Sequence, residues 1–96
     1  MENKNLMRTA VEKLGEETQL DMIAEKSLLT AIAIQEFKKT NIKEDYLNYA
    51  STYNDVCERI ADMRLAIEQA EFLFNTNEIN EHYQNKLDVL KQSLDV

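Results

Sequence analysis

The sequence predicts an all-α chain of four helices, whose two long central helices form a bundle with a second subunit. Three observations carry this expectation. The 96 residues include no proline and a single glycine, Gly15, a composition poor in turn formers and suited to helices. Apolar side chains recur at spacings of three and four, most regularly at Tyr53, Val56, Ile60, Met63, Ile67, Ala70 and Phe74, as one face of a long amphipathic helix requires. Apolar residues make up 44% of the chain. That is enough for a core, but a single domain of this size often associates to cover the faces it cannot bury alone.

The first helix is expected over residues 4–14, where Met7, Ala10, Val11 and Leu14 share a face. Gly15 is placed to end it through a left-handed cap. Alone this helix is marginal, so it must dock on the rest of the chain. The second helix is expected over 16–39, with Glu16, Glu17 and Asp21 near its start and Lys38 and Lys39 at its end. Both ends complement the helix dipole. Its interior is apolar over more than half the circumference between residues 28 and 34, as expected for a helix buried on more than one side that also meets a second subunit. Residues 40–46 are polar and read as a connector, with the next helix starting between Glu44 and Ser51. The third helix runs over 48–75. Asn75-Thr76-Asn77 then makes a turn with Thr76 or Asn77 as N-cap. The last helix covers 78–94, with Ile79, Tyr83, Leu87, Leu90 and Leu94 on one face.

The formal net charge is −7, which argues against general nucleic-acid binding, since that needs a basic surface. No apolar run approaches the roughly 20 residues that span a bilayer, and Met1–Asn5 lack the apolar core of a signal peptide. A cytoplasmic protein without a membrane partner is expected. The single cysteine, Cys57, lies on a predicted helix face without a nucleophile signature around it. It reads as a buried thiol in a reducing compartment. The single histidine, His82, falls on a polar stretch without a His or Cys neighbour and reads as a surface residue. Met7, Met22 and Met63 read as core fillers, and Tyr46, Tyr49 and Tyr53 as packing residues.

The third helix also carries the most informative polar run, Glu58-Arg59-Ile60-Ala61-Asp62. Together with Tyr53-Asn54-Asp55-Val56-Cys57 before it and Met63, Ile67-Glu68-Gln69 and Phe72-Leu73-Phe74 after it, this stretch resembles the second half of small phage-type MazG-like proteins. Gln19-Leu20-Asp21-Met22-Ile23-Ala24-Glu25 resembles the approach to that family's first motif. The last helix, with Tyr83, Lys86-Leu87, Leu90-Lys91 and Leu94, resembles its tail. The family comprises all-α nucleoside triphosphate pyrophosphohydrolases. The resemblance implies a helical homo-oligomer, dimer or tetramer, in which carboxylates three residues apart on facing helices hold Mg²⁺. The ion neutralises the phosphates and helps activate water.

The chain departs from the family at the ligand positions. Where the first motif reads Glu-Glu-x-x-Glu, this sequence has Glu25-Lys26-Ser27-Leu28-Leu29, with Lys26 and Leu29 at expected ligand positions. Where the second reads Glu-Glu-x-x-Asp, Arg59 replaces a ligand and Asp62 remains. Lys, Arg and Leu cannot hold Mg²⁺, so no cofactor and no catalysis are expected. Lys26 and Arg59 in place of the metal would put positive charge beside a phosphorylated nucleotide, with Asp62, Tyr49 and Lys86 as further lining residues. Against this stands the plain reading that Lys26 and Arg59 pair with neighbouring carboxylates such as Asp62 and Glu58. Two other readings are a protein-binding inhibitor or scaffold of phage origin that engages a host protein, and a Mg²⁺-dependent hydrolase with a rearranged site drawn from Glu25, Glu36, Glu58 and Asp62.

Overall fold

The computed structural model describes residues 2–96. Four helices follow one another: α1 (Glu2–Leu14), α2 (Glu16–Lys38), α3 (Tyr46–Ala70) and α4 (Thr76–Leu94), with a 3-10 turn over Glu71–Leu73 between the last two. There is no strand among the described residues.

Gly15 alone separates α1 from α2. Its N–H donates to Val11 O at 2.9 Å, closing α1, and its carbonyl accepts from Gln19 N at 3.1 Å, opening α2. Its φ of 84° is positive, as the sequence predicts, but its ψ of 161° is extended. The residue therefore lies in the glycine-only extended region and not in the left-handed helical one. One residue must end one helix and start another, and a left-handed helical cap would not redirect the chain in that single step.

At the other end of α2 the chain turns through Asn41, whose Oδ1 accepts from Lys43 N at 2.9 Å. Asp45 then caps α3 by accepting from Asn48 N at 3.0 Å, so α3 begins at Tyr46, inside the expected window. The predicted span 48–75 is too long at its end: the α-helix stops at Ala70 and tightens into the 3-10 turn. The N-cap of α4 is Asn75, one residue earlier than the expected Thr76 or Asn77. Asn75 lies three residues before Glu78, whose N–H it receives at 3.1 Å.

Helices α2 and α3 pack antiparallel along most of their length. Their seam is marked by Phe37 against Tyr49 at one end and by Ser27 against Met63 further along. Helix α1 lies across the end of the seam formed by the start of α2 and the end of α3, and it buries Met7 there. The fully buried apolar residues are Met7, Ala33, Ala66 and Ala70. Met22 and Met63 are half-buried.

Two expectations about burial are corrected. The regular stripe on α3 turns inward along one edge only: Val56 and Met63 are half-buried and Ala70 is buried, while Tyr53, Ile60, Ile67 and Phe74 are exposed. The inward face is rotated from it and carries Thr52, Asp55, Arg59, Met63, Ala66 and Ala70. The small side chains of Ala33, Ala66 and Ala70 suit a close approach of the two helices there, while the larger apolar residues stand at the edge of the seam. Cys57 is exposed and free, because it lies on the flank of α3 turned away from α2.

The resulting molecule is open. Its radius of gyration is 17.0 Å, against about 12.5 Å for a compact domain of this length. Helix α4 rests on none of the other helices to any extent among the described residues, and its apolar face, with Tyr83 62% exposed, is uncovered. Helix α2 is covered on one side only, and Leu28 on its outer side is 62% exposed. No helix is long and apolar enough to cross a membrane among the described residues.

Candidate functional site

The seam between α2 and α3 brings Lys26, Arg59 and Asp62 into one neighbourhood, and it does so through the periodicity of the two helices. Lys26 points from α2 toward Asp62 on α3, with Nζ to Oδ2 at 3.7 Å. Arg59 turns along its own helix to Asp55, with Nε to Oδ1 at 3.5 Å. Thr30 joins the two helices of the seam: its hydroxyl donates to Lys26 O at 2.7 Å and contacts Arg59 O at 3.3 Å. Every member is partly solvated, so each ion pair is worth at most about 1 kcal/mol.

The cluster is electrically balanced, with two cations facing two carboxylates. This is the arrangement of the plain reading, with one difference: Arg59 pairs with Asp55, while Glu58 is exposed and receives a weak contact from Asn54 Nδ2 at 3.4 Å. Asp55 stands four residues before Arg59, a spacing that favours pairing on a helix, so this partner was visible in the sequence. Thr30 was not, because its role depends on how the helices meet.

The remaining candidates lie apart from this cluster. Glu25 and Glu58 are exposed outside the seam, as is Glu36, which instead pairs with Lys39 at 3.4 Å. Leu29 is half-buried. Tyr49 sits ten residues from Arg59, about 15 Å along the helix, and packs its ring on Phe37 at 5.2 Å between centroids. Tyr53 joins the same aromatic group at 6.0 Å from Phe37, whereas Tyr46 stays exposed. Lys86 and His82 are exposed on α4, which does not rest on the seam. Among the described residues no three His, Cys, Asp or Glu side chains converge on a point that a metal ion could occupy.

Two concavities flank the seam. One, of about 420 Å³, is an apolar groove lined by Thr30, Ile60, Met63, Arg64, Ile67 and Glu68. The other, of about 440 Å³, lies where α1 meets the 3-10 turn and the start of α4, lined among others by Lys4, Arg8, Glu68, Glu71 and Thr76. There the Arg8 guanidinium lies 5.8 Å from the centre of the Phe72 ring, within cation–π range. This second pocket also balances two cations against two carboxylates. Comparison with protein-family models, with curated proteins and with solved structures finds no match for this chain.

Proposed function

We propose that this chain is a non-catalytic, MazG-like helical protein that works by binding, and that its first partner is a second copy of itself, as a dimer or a tetramer. The observation that carries this reading is the apolar groove beside the seam. Ile60 and Ile67 from α3 line it and are exposed. Burying them needs a second pair of helices, which would complete a four-helix bundle of ordinary kind. Sedimentation equilibrium of the full chain tests it. Self-association is expected, weakened at least tenfold by Ile60→Glu with Ile67→Glu while the circular dichroism stays helical. A wild-type chain that remains monomeric at high micromolar concentration overturns the reading. A host protein in place of the second copy would appear as a tighter complex that displaces it. Pyrophosphate release from nucleoside triphosphates with Mg²⁺ is expected to be absent.

One observation favours a phosphorylated nucleotide as a second ligand. The ion pairs of Lys26 and Arg59, at 3.7 and 3.5 Å, are longer than the roughly 2.7–2.9 Å of a charge-assisted hydrogen bond. Both cations are loosely held, and the Thr30 hydroxyl contacts the backbone of each residue, so both flank one stretch of the seam where phosphate oxygens would replace their carboxylates. Calorimetric titration with nucleoside triphosphates and with cyclic and signalling nucleotides tests this. Binding that is lost in Lys26→Met and in Arg59→Met supports it, and a blank result across the panel ends it.

A further inference from the structure

We propose that α4 is an exchanged arm, which docks antiparallel on the outer face of α2 of a second copy of the chain. This surface is separate from the groove between α2 and α3.

The starting point is area. The chain exposes 7814 Å², whereas a compact monomer of its mass exposes about 5,700 Å². The excess is larger than the roughly 800 Å² that each partner buries in a stable interface. Much of it lies on two faces that no part of the same chain covers among the described residues. One is the stripe on α4, with Tyr83, Leu90 and Leu94 exposed and Ile79 and Leu87 half-buried. The other is the outer side of α2, where Leu20, Ala24, Leu28 and Ile32 are exposed at helical spacing.

Charge distinguishes the partner. The outer face of α2 is acidic in its first half, with Glu17, Asp21 and Glu25 beside the apolar stripe, and ends in Lys38 and Lys39. Helix α4 has the same polarity: Glu78 and Glu81 come first, and Lys86 and Lys91 flank the stripe in the second half. Antiparallel alignment sets unlike charges together. The register that places Lys86 level with Glu25 also places Leu87 level with Ala24, Tyr83 with Leu28 and Ile79 with Ile32, and brings Lys91 within one residue of Asp21. Parallel pairing of two α4 helices, by contrast, would bring Lys86 of one toward Lys91 of the other, a like-charge contact.

Connectivity excludes the same chain. Because α2 and α3 are antiparallel, the end of α3 lies beside the start of α2. Only Phe74 and Asn75 separate the 3-10 turn from α4. If α4 folded back onto its own α2 it would run parallel to it, with Glu78 and Glu81 toward Glu17 and Asp21. Like charges would meet where both helices start. The antiparallel arrangement therefore calls for the α2 of another copy.

A cross-linking experiment tests this in full-length protein carrying Cys57→Ser. Chains with Leu28→Cys and differently tagged chains with Tyr83→Cys are mixed and oxidised. The expected product is the mixed disulfide dimer, at least fivefold over either self-dimer. It is expected to fall at least fivefold when Lys86→Glu and Lys91→Glu are added to the second chain, and to return when Asp21→Lys and Glu25→Lys are added to the first. The groove variant Ile60→Glu leaves the mixed product in place, which separates this interface from the groove. A mixed product no more abundant than the self-dimers, or one indifferent to the charge reversals, overturns the proposal. Should the charge variants lose helicity, hydrogen exchange of the unsubstituted chain decides. Protection of α4 amides that rises with protein concentration supports the exchange, and concentration-independent exchange refutes it.

Discussion

Replacing Gln19 with methionine is expected to make the protein more stable. Gln19 lies on the first turn of α2, is 1% exposed, and faces the junction of α1, α2 and α3. Neither its Nε2 nor its Oε1 finds a hydrogen-bond partner, and Oε1 of Gln69, itself 8% exposed, is unpaired as well. The antiparallel contacts of Lys26 with Asp62 and of Thr30 with Arg59 bring Gln19 level with Gln69 and Ala70. A buried polar group without a partner costs about 1–3 kcal/mol. Methionine keeps the unbranched shape and removes both orphaned atoms, and a near-isosteric change of this kind costs less than about 1.5 kcal/mol in packing. The balance is a gain of about 1–2 kcal/mol, or roughly 4–8 °C in Tm per kcal/mol for a domain of this size. Urea and thermal melts at one fixed protein concentration measure it, since self-association shifts both. Gln69→Met and the double variant complete a cycle, in which two unpaired amides give additive effects. A loss of 1 kcal/mol or more in Gln19→Met would refute the reasoning. It would mean that the two amides, or a buried water between them, satisfy each other in solution.

Other outcomes follow from local geometry. Gly15→Ala is expected to destabilise by about 1–3 kcal/mol in urea melts through backbone strain alone, because an added Cβ meets nothing within 4 Å; an unchanged midpoint would contradict the extended positive-φ conformation. Asn75→Ala is expected to cost about 1 kcal/mol through the lost cap of α4, read as reduced ellipticity and faster amide exchange in residues 76–80. Lys26→Gln is expected to change stability by less than about 1 kcal/mol, since its pair with Asp62 is partly solvated; a larger loss would assign the seam a structural weight its geometry does not have. Cys57 is expected to react stoichiometrically with a thiol reagent in the native protein without denaturant, and protection of the thiol would place it in an interface.

Most of the fold was legible in the sequence because helix formation is local. The absence of proline and the lone Gly15 fixed the break between α1 and α2. Asp45 and Lys38 sit where start and stop chemistry places them. The misplaced features are those where two local rules compete. Asn75, Thr76 and Asn77 are all acceptable caps, and the position of Glu78 three residues on selected Asn75. Gly15 had to serve two helices at once, so its ψ departed from the common cap. The candidate cluster was legible in part: Asp62 was expected as a partner of these cations and pairs with Lys26, Asp55 took the place expected of Glu58 because it lies one turn from Arg59 on the same helix, and the bridging hydroxyl of Thr30 joins residues 29 apart in the chain and depends on register.

The sequence by itself determined that this protein is helical, that its helices number four with a break at Gly15, and that it carries more apolar surface than four short helices can hide from each other. The tertiary structure decided which surface is hidden. Periodicity marks an apolar stripe on α3 and an apolar circumference on α2, but it does not say which side meets which. The inward side proved to be the one lined by Ala33, Ala66 and Ala70 with a balanced pair of charges. The larger apolar stripes of α2, α3 and α4 were left facing outward, where only contact between chains can bury them.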